Sequence, residues 1–327
     1  MQDKLPFERI ERKVLVKKQS ETNSIYGQDP NKRDIKELIN YGIINLNKPA
    51  GPTSHQVSDY VQKILNIKKS GHSGTLDPNV TGVLPIALGK ATRIVQTLLT
   101  SGKEYVCLMY LHKEVSEKEI KEAVKKFTGK IKQLPPIKSA IKRRLRTREI
   151  YYFNILEMDN QNVLFQIGCE AGTYIRKIVH DFGQELKTGA HMVQLIRTKA
   201  GPFNDKSWHS LHDLKDAYEF YKEGDETELR RIILPIEESV KHLPKVWVHN
   251  NAVDTICHGA SLNVPGVSRL NSFTENETIA IMTLKDELIG LGISVMNSDR
   301  IMKEDRGLAV KTRKIFMDRG VYATSKK

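Results

Sequence analysis

Cysteine is scarce in this 327-residue chain: Cys107, Cys169 and Cys257 stand far apart among apolar neighbours and form no CxxC pair. That excludes a disulfide framework and a cysteine-built zinc knuckle, and reads as three reduced core residues. No apolar run approaches the roughly 18–20 residues that a membrane helix needs, so a helical membrane protein is excluded. The first residues mix charges of both signs and lack the apolar stretch of a signal peptide. A cytoplasmic location is therefore expected, or a nuclear one in a eukaryote. Neither GxxxxGK[ST] nor GxGxxG occurs, which leaves nucleotide-cradling chemistry without support. His209 and His212 sit three apart with no partner at metal spacing, so neither a metal nor another cofactor is expected.

What the chain does have is positive charge. Hydrophobic residues at 39% and charged residues at 28% describe an ordinary folded protein, but the net charge is +13 and the pI about 9.4. Residues 1–40 and residues 246–327 each carry a net +2, which leaves +9 on residues 41–245. The middle of the chain is built to face a polyanion, with nucleic acid the first candidate. The length suits two domains, or one large domain with an appendage.

Periodicity organises the chain into an α+β protein. The first 30 residues read as an extended or partly ordered arm, followed by a short helix from Lys32 to Tyr41. A buried strand at Ile43–Leu46 precedes a capping box, Thr53 and Gln56, which opens a helix with Val57, Tyr60, Val61, Ile64 and Leu65 on one face. A strand over Val83–Leu88, a helix over Ala91–Leu99 and a strand over Lys103–His112 follow. Ser116 and Glu119 box the next helix. Strands at Ile150–Glu157 and Val163–Cys169 lead to a helix opened by Thr173. Helices and strands interleave without βαβ regularity, which implies a large mixed or antiparallel sheet flanked by helices. From about Val246 the texture changes to short strands, and a small C-terminal β-barrel is expected.

The segment Gly71 to Pro78 places one carboxylate, Asp77, in a glycine-bracketed loop that Pro78 stiffens. Alone, an Asp-Pro pair among glycines reads as a turn. Arg176 falls in the first turn of its helix, where the macrodipole disfavours a cation by a few tenths of a kcal/mol or more. It is either a solvated arginine or the partner of an anion such as Asp77. Tyr105 is either a core aromatic or a flat face for stacking a base. His72 could meet a phosphate or an everted base, though loop histidines more often do neither. Lys138, Lys142, Arg143, Arg144, Arg146 and Arg148 form a run without an acid, a solvated face or a loop that grips phosphates.

Several of these segments together resemble the signature stretches of the TruB-type pseudouridine synthases. They are Gly71 to Pro78 with Thr81-Gly82, Lys103-Glu104-Tyr105-Val106, Gly172 to Arg176, Asn45 to Pro49, and Gln194 to Thr198 with Gly201-Pro202-Phe203. The chain further resembles the dyskerin branch through His72 to Thr75 and Cys169 to Arg176. The short insertion at Ile137 to Glu149, against a longer one in stand-alone bacterial members, and the absence of a lysine-rich tail suit an archaeal member. The resemblance implies a catalytic domain at residues 41–245, a PUA RNA-binding module at 246–327, and an arm at 1–40 packing near that module. It implies isomerisation of uridine in RNA, with Asp77, Tyr105 and Arg176 catalytic, Leu195 lining the pocket and Lys48 bracing the loop. Lys48, His72, Leu195, Lys142, Arg143, Arg144 and Arg146 form its substrate and RNA-binding set. Guide RNA, target RNA and the small box H/ACA proteins are the implied partners. A non-catalytic RNA-binding scaffold and a tRNA modifier that works alone are the rival readings.

Overall fold

The computed structural model describes residues 3–135 and 143–323. Two sheets organise them. The larger has ten strands. Its main path runs from Ile233–Pro235 through Gly42–Lys48, Thr81–Leu88, Ala190–Ala200, Lys103–Leu111, Asn162–Cys169 and Arg146–Asp159 to Gly129–Gln133. Neighbours are antiparallel except Thr81–Leu88 beside Ala190–Ala200, which run parallel with Gly82 opposite Arg197. The second sheet has seven strands and is built from residues after Lys245 plus one strand of the arm, Val14–Val16.

Side-chain alternation decides which faces are covered. Cys107, Met109, Phe165 and Ile167 point to one face of the large sheet, where Ile120 of helix Glu117–Phe127 and Ile175, Ile178, Val179 and Phe182 of helix Ile175–Glu185 close over them. At the other end, helices Ile35–Tyr41, Ser54–Leu65 and Leu211–Lys222 bury Ile44, Leu46, Leu84 and Ile86. Thr53 and Gln56 do form a capping box, and so do Ser116 and Glu119. The three cysteines are buried and unbridged. No helix among the described residues is long and apolar enough to cross a membrane, and no group of three or more His, Cys, Asp or Glu is placed to hold a metal.

Several elements differ from the periodicity reading. Ala91–Leu99 is a 3-10 turn, Gly89–Ile94, that passes into a five-residue α-helix. Ile175, not Thr173, is the first helical residue after the Cys169 strand; the Thr173 hydroxyl turns back to the Glu170 carbonyl at 2.7 Å instead of capping. Ala190–Ala200 and Gly129–Gln133 are strands that the pattern did not reveal, because polar residues break the alternation of the first and the second is short with a single apolar side chain, Ile131. The arm is ordered more fully than its polar composition suggests. Val14, Leu15 and Val16 pair with Asn271, Leu270 and Arg269, and the Lys285 ammonium holds the carbonyls of Tyr26 and Gly27. Backbone pairing supplies what apolar side chains do not.

The two sheets meet through an apolar interface in which Ala87, Ile94, Ile236 and Val240 contact Trp247, Met282, Leu288 and Phe316. Beside it Arg33 makes two hydrogen bonds of 2.7 Å to Glu237, whose carboxylate also accepts from the Leu288 N–H at 2.9 Å. Glu237→Ala leaves a buried guanidinium and a buried N–H without their acceptor, so we expect a loss of about 3–5 kcal/mol in denaturant unfolding. Replacing both partners by methionine recovers most of it; equal losses in the single and double variants would contradict this account.

His242 lies buried at the same junction, edge-on to Phe7 with ring centroids 5.9 Å apart. Burial, then the charges of Lys103 and Arg12, push its imidazole down to about 4. The folded state therefore refuses a proton that the unfolded chain accepts near its ordinary value of about 6.5. The His242 contribution to stability should be constant above about pH 6.5 and be lost as pH drops towards 4. Thermal melts of His242→Phe should show a shallower fall across that window than the unsubstituted protein.

Candidate active site

The Asp77 loop leaves the Ser70–His72 strand and re-enters the sheet at Thr81. Backbone fastenings hold it from below. The Lys48 ammonium, fully buried, donates to the carbonyls of Pro49, Pro78 and Val80 at 2.8, 2.8 and 2.9 Å. The Gly51 N–H reaches the Pro78 carbonyl at 3.0 Å, and the Ser54 hydroxyl accepts from the Leu76 N–H at 2.9 Å. The Val80 N–H closes a turn on the Asp77 carbonyl at 3.0 Å. Leu76 and Val80 point down into the large core on either side of the acid. The consequence is an Asp77 carboxylate that stands out of a fixed loop, 53% exposed.

Arg176 meets that carboxylate in an ion pair, its own side chain 58% exposed. Its helix is set by Gln133, whose amide bonds both the N–H and the carbonyl of Tyr174 at 3.1 Å. Gln133 ends the strand Gly129–Gln133 and pairs with Arg146. The helix start that carries Arg176 is therefore tied to the base of the basic segment.

Tyr105 is half-buried on the edge of the same apolar cluster as Leu76, Val80, Leu195 and Ile175. Leu195 is buried opposite Cys107. Asp77 and Arg176 are thus joined directly, while Tyr105 and Leu195 belong to the apolar cluster into which the loop residues Leu76 and Val80 reach. Burial raises the Tyr105 phenol above its ordinary value, and the neighbouring Arg197 charge opposes that push.

Other residues from the sequence reading lie elsewhere. Lys48 has no free donor to offer RNA; its three N–H groups are taken by loop carbonyls, and burial lowers its pKa. His72 packs edge-on against His55 at 4.7 Å between centroids, and burial pushes it down to about 4. A neutral ring brings no charge to a phosphate. Arg143 and Arg144 are exposed, Arg143 donating to the Pro135 carbonyl at 3.3 Å, and Arg146 lies half-buried in its strand. Lys142 lies outside the described residues. Gln133 escaped the sequence reading, since a glutamine near a Pro-Pro carries no spacing signal, and Arg197 stood in the Gln194 to Thr198 signature stretch without a role assigned to it.

Models of known families match nearly the whole chain. Residues 62–175 match the TruB family pseudouridylate synthase N-terminal domain, and residues 176–241 the tRNA pseudouridylate synthase B C-terminal domain. Residues 244–316 match the PUA domain and residues 2–58 the DKCLD domain. A probable tRNA pseudouridine synthase B of Pyrococcus horikoshii is 53% identical over 96% of this chain and 95% of its own length. That of Methanopyrus kandleri is 50% identical over 98% and 95%. The chain belongs to the TruB family of pseudouridine synthases.

A crystal structure of a Cbf5-Nop10-Gar1 complex contains a chain 50% identical to this one, with a TM-score of 0.93 over 98% of both. An H/ACA ribonucleoprotein bound to a substrate RNA contains one at 48% identity and 0.92, covering 98% and 99%. This TruB-family chain is a pseudouridine synthase of the dyskerin type with a PUA module, as the signature segments implied. Its loop geometry generates a direct prediction for Lys48. Lys48→Met removes three donors from beneath Asp77 without removing a group that reaches RNA. The rate of conversion should fall at least about tenfold, in line with the sensitivity of catalysis to small misplacements, while RNA affinity changes less than about threefold. A filter-binding loss as large as the rate loss would place Lys48 at the RNA after all.

Proposed function

We propose that this chain isomerises uridine to pseudouridine as the catalytic subunit of a box H/ACA ribonucleoprotein, using Asp77, Arg176 and Tyr105. The observation that carries the reading is the Asp77–Arg176 ion pair on an open, braced loop. An exposed carboxylate already oriented by a guanidinium suits a substrate that arrives from outside rather than one sealed in a cavity. Residues 41–245 hold this chemistry, while residues 246–327, with the arm of residues 1–40 joined to them, hold RNA.

The target nucleotide leaves its stack at a cost on the order of a few kcal/mol. Asp77 then starts cleavage of the N1–C1′ bond, either as nucleophile on C1′ or as base on the sugar. The freed uracil turns and rejoins the ribose through C5, and the C5 proton is lost. Arg176 keeps the carboxylate aimed. Tyr105 stacks on the base and assists removal of the C5 proton, and Leu195 forms the apolar wall. Arg143 and Arg144 are free to meet phosphates. Guide RNA and small partner proteins are supported by the full-length likeness to chains in H/ACA and Cbf5-Nop10-Gar1 assemblies. The names of the curated relatives favour tRNA as a second substrate.

Asp77→Asn should abolish tritium release from RNA labelled at uracil C5 while RNA binding persists, and measurable turnover would refute the assignment. Arg176→Ala should lower the rate sharply in a protein that still melts normally. Running both on a tRNA T-arm and on guide-paired RNA, with and without the small proteins, separates guided from stand-alone activity.

A further inference from the structure

Arg197 is the largest side chain in the fully buried interior, 1% exposed, and it sits where three parts of the site converge. Its strand, Ala190–Ala200, runs between the strand that follows the Asp77 loop and the strand that carries Tyr105. In register it lies opposite Gly82 on one side and opposite Tyr105 on the other. Its Nε donates to the Val83 carbonyl at 2.7 Å and its Nη2 to the Gly74 carbonyl at 3.3 Å, at the head of the Asp77 loop. Tyr105 is its cross-strand partner, and the Arg197 charge is felt at the phenol.

Two features argue against a mere space-filler. A buried cation is costly unless paired, and no carboxylate contributes to the electrostatics of Arg197. Its guanidinium also ties together two separate segments, the strand at Val83 and the start of the Asp77 loop at Gly74. An apolar side chain would fill the volume at lower cost, but only a planar fork reaches two carbonyls on separate segments at once.

We propose that Arg197 is a positioning residue of the isomerisation, fixing the Tyr105 ring and hydroxyl relative to the Asp77 loop. It acts through those two residues and does not touch RNA. The inference rests on the reading of Tyr105 as the residue that stacks on the base and serves the C5 proton, and the test separates the two. By lowering the phenol pKa against the larger effect of burial, the guanidinium also holds the hydroxyl oxygen in a polar setting that the apolar cluster around it does not offer.

The experiment measures single-turnover conversion, RNA affinity and melting for Arg197→Lys and Arg197→Met, each in the unsubstituted and the Tyr105→Phe backgrounds. The substrates are a tRNA T-arm stem-loop and guide-paired RNA with the small partner proteins. We expect Arg197→Lys and Arg197→Met to slow conversion about 10²-fold with affinity held within about threefold, since a misplacement near 1 Å is enough for such a loss. With Tyr105→Phe already present, the same substitutions should cost less than about fivefold, because the hydroxyl they position is gone. An undiminished loss in the Tyr105→Phe background would make Arg197 a packing residue and overturn the proposal. So would an unchanged rate in Arg197→Met, or the failure of both variants to fold. Wild-type conversion by Tyr105→Phe alone would instead remove the role of the Tyr105 hydroxyl, and the positioning role would fall with it.

Discussion

A carboxylate that is half in solvent keeps one direction only if the backbone beneath it is immobile. In this protein that immobility comes from a lysine ammonium placed inside the fold. Taking such a charge out of water costs several kcal/mol, and three carbonyls within 2.9 Å of Lys48 Nζ offset the cost. Pro78 and Val80 come just after the acid, so the atoms that stabilise the ammonium are the same atoms whose positions define that side of the loop. Arg176 can then add direction to the side chain without also having to hold the chain in place.

The same device recurs. Lys103, also buried, donates to the carbonyls of Leu98, Leu99 and Ser101 and thereby finishes the short helix Val95–Leu99, although burial pushes its pKa down to about 7. Arg197 serves carbonyls on two further segments. Part of the positive surplus of residues 41–245 is therefore internal. It organises backbone inside the fold, while Arg143 and Arg144 are exposed. A basic composition in an RNA enzyme need not all be footprint.

The N-terminal arm shows how a polar segment becomes structural. Too few apolar side chains lie in it to build a core, yet it adds a strand to the second sheet and places Arg33 against Glu237. Tyr322 near the other terminus donates to Glu287 at 2.6 Å, and the Gln28 N–H reaches the same carboxylate at 3.0 Å. Both ends of the chain are thus fastened to one buried acid. Catalytic sheet, second sheet and arm share an interface held by apolar contact and by charges that cannot be removed one at a time.

Local rules reached far into this molecule. Capping boxes placed two helices, alternation from Val163 to Cys169 placed a central strand, and the glycine-bracketed Asp77 with an arginine in a first helical turn marked the pair on which the proposed chemistry rests. Those signals are legible because each depends on residues a few positions apart. Lys48, His72 and Arg197 could not be sorted that way. Whether a cation faces RNA or a buried carbonyl depends on strands brought together from residues about 30 to 120 positions apart, and nothing in its own neighbourhood reports this. The sequence by itself determined which residue types the reaction end of the protein would own. Only the tertiary structure decided which of them touch solvent and which hold the others still, because burial is a property of the assembled sheet and not of the chain.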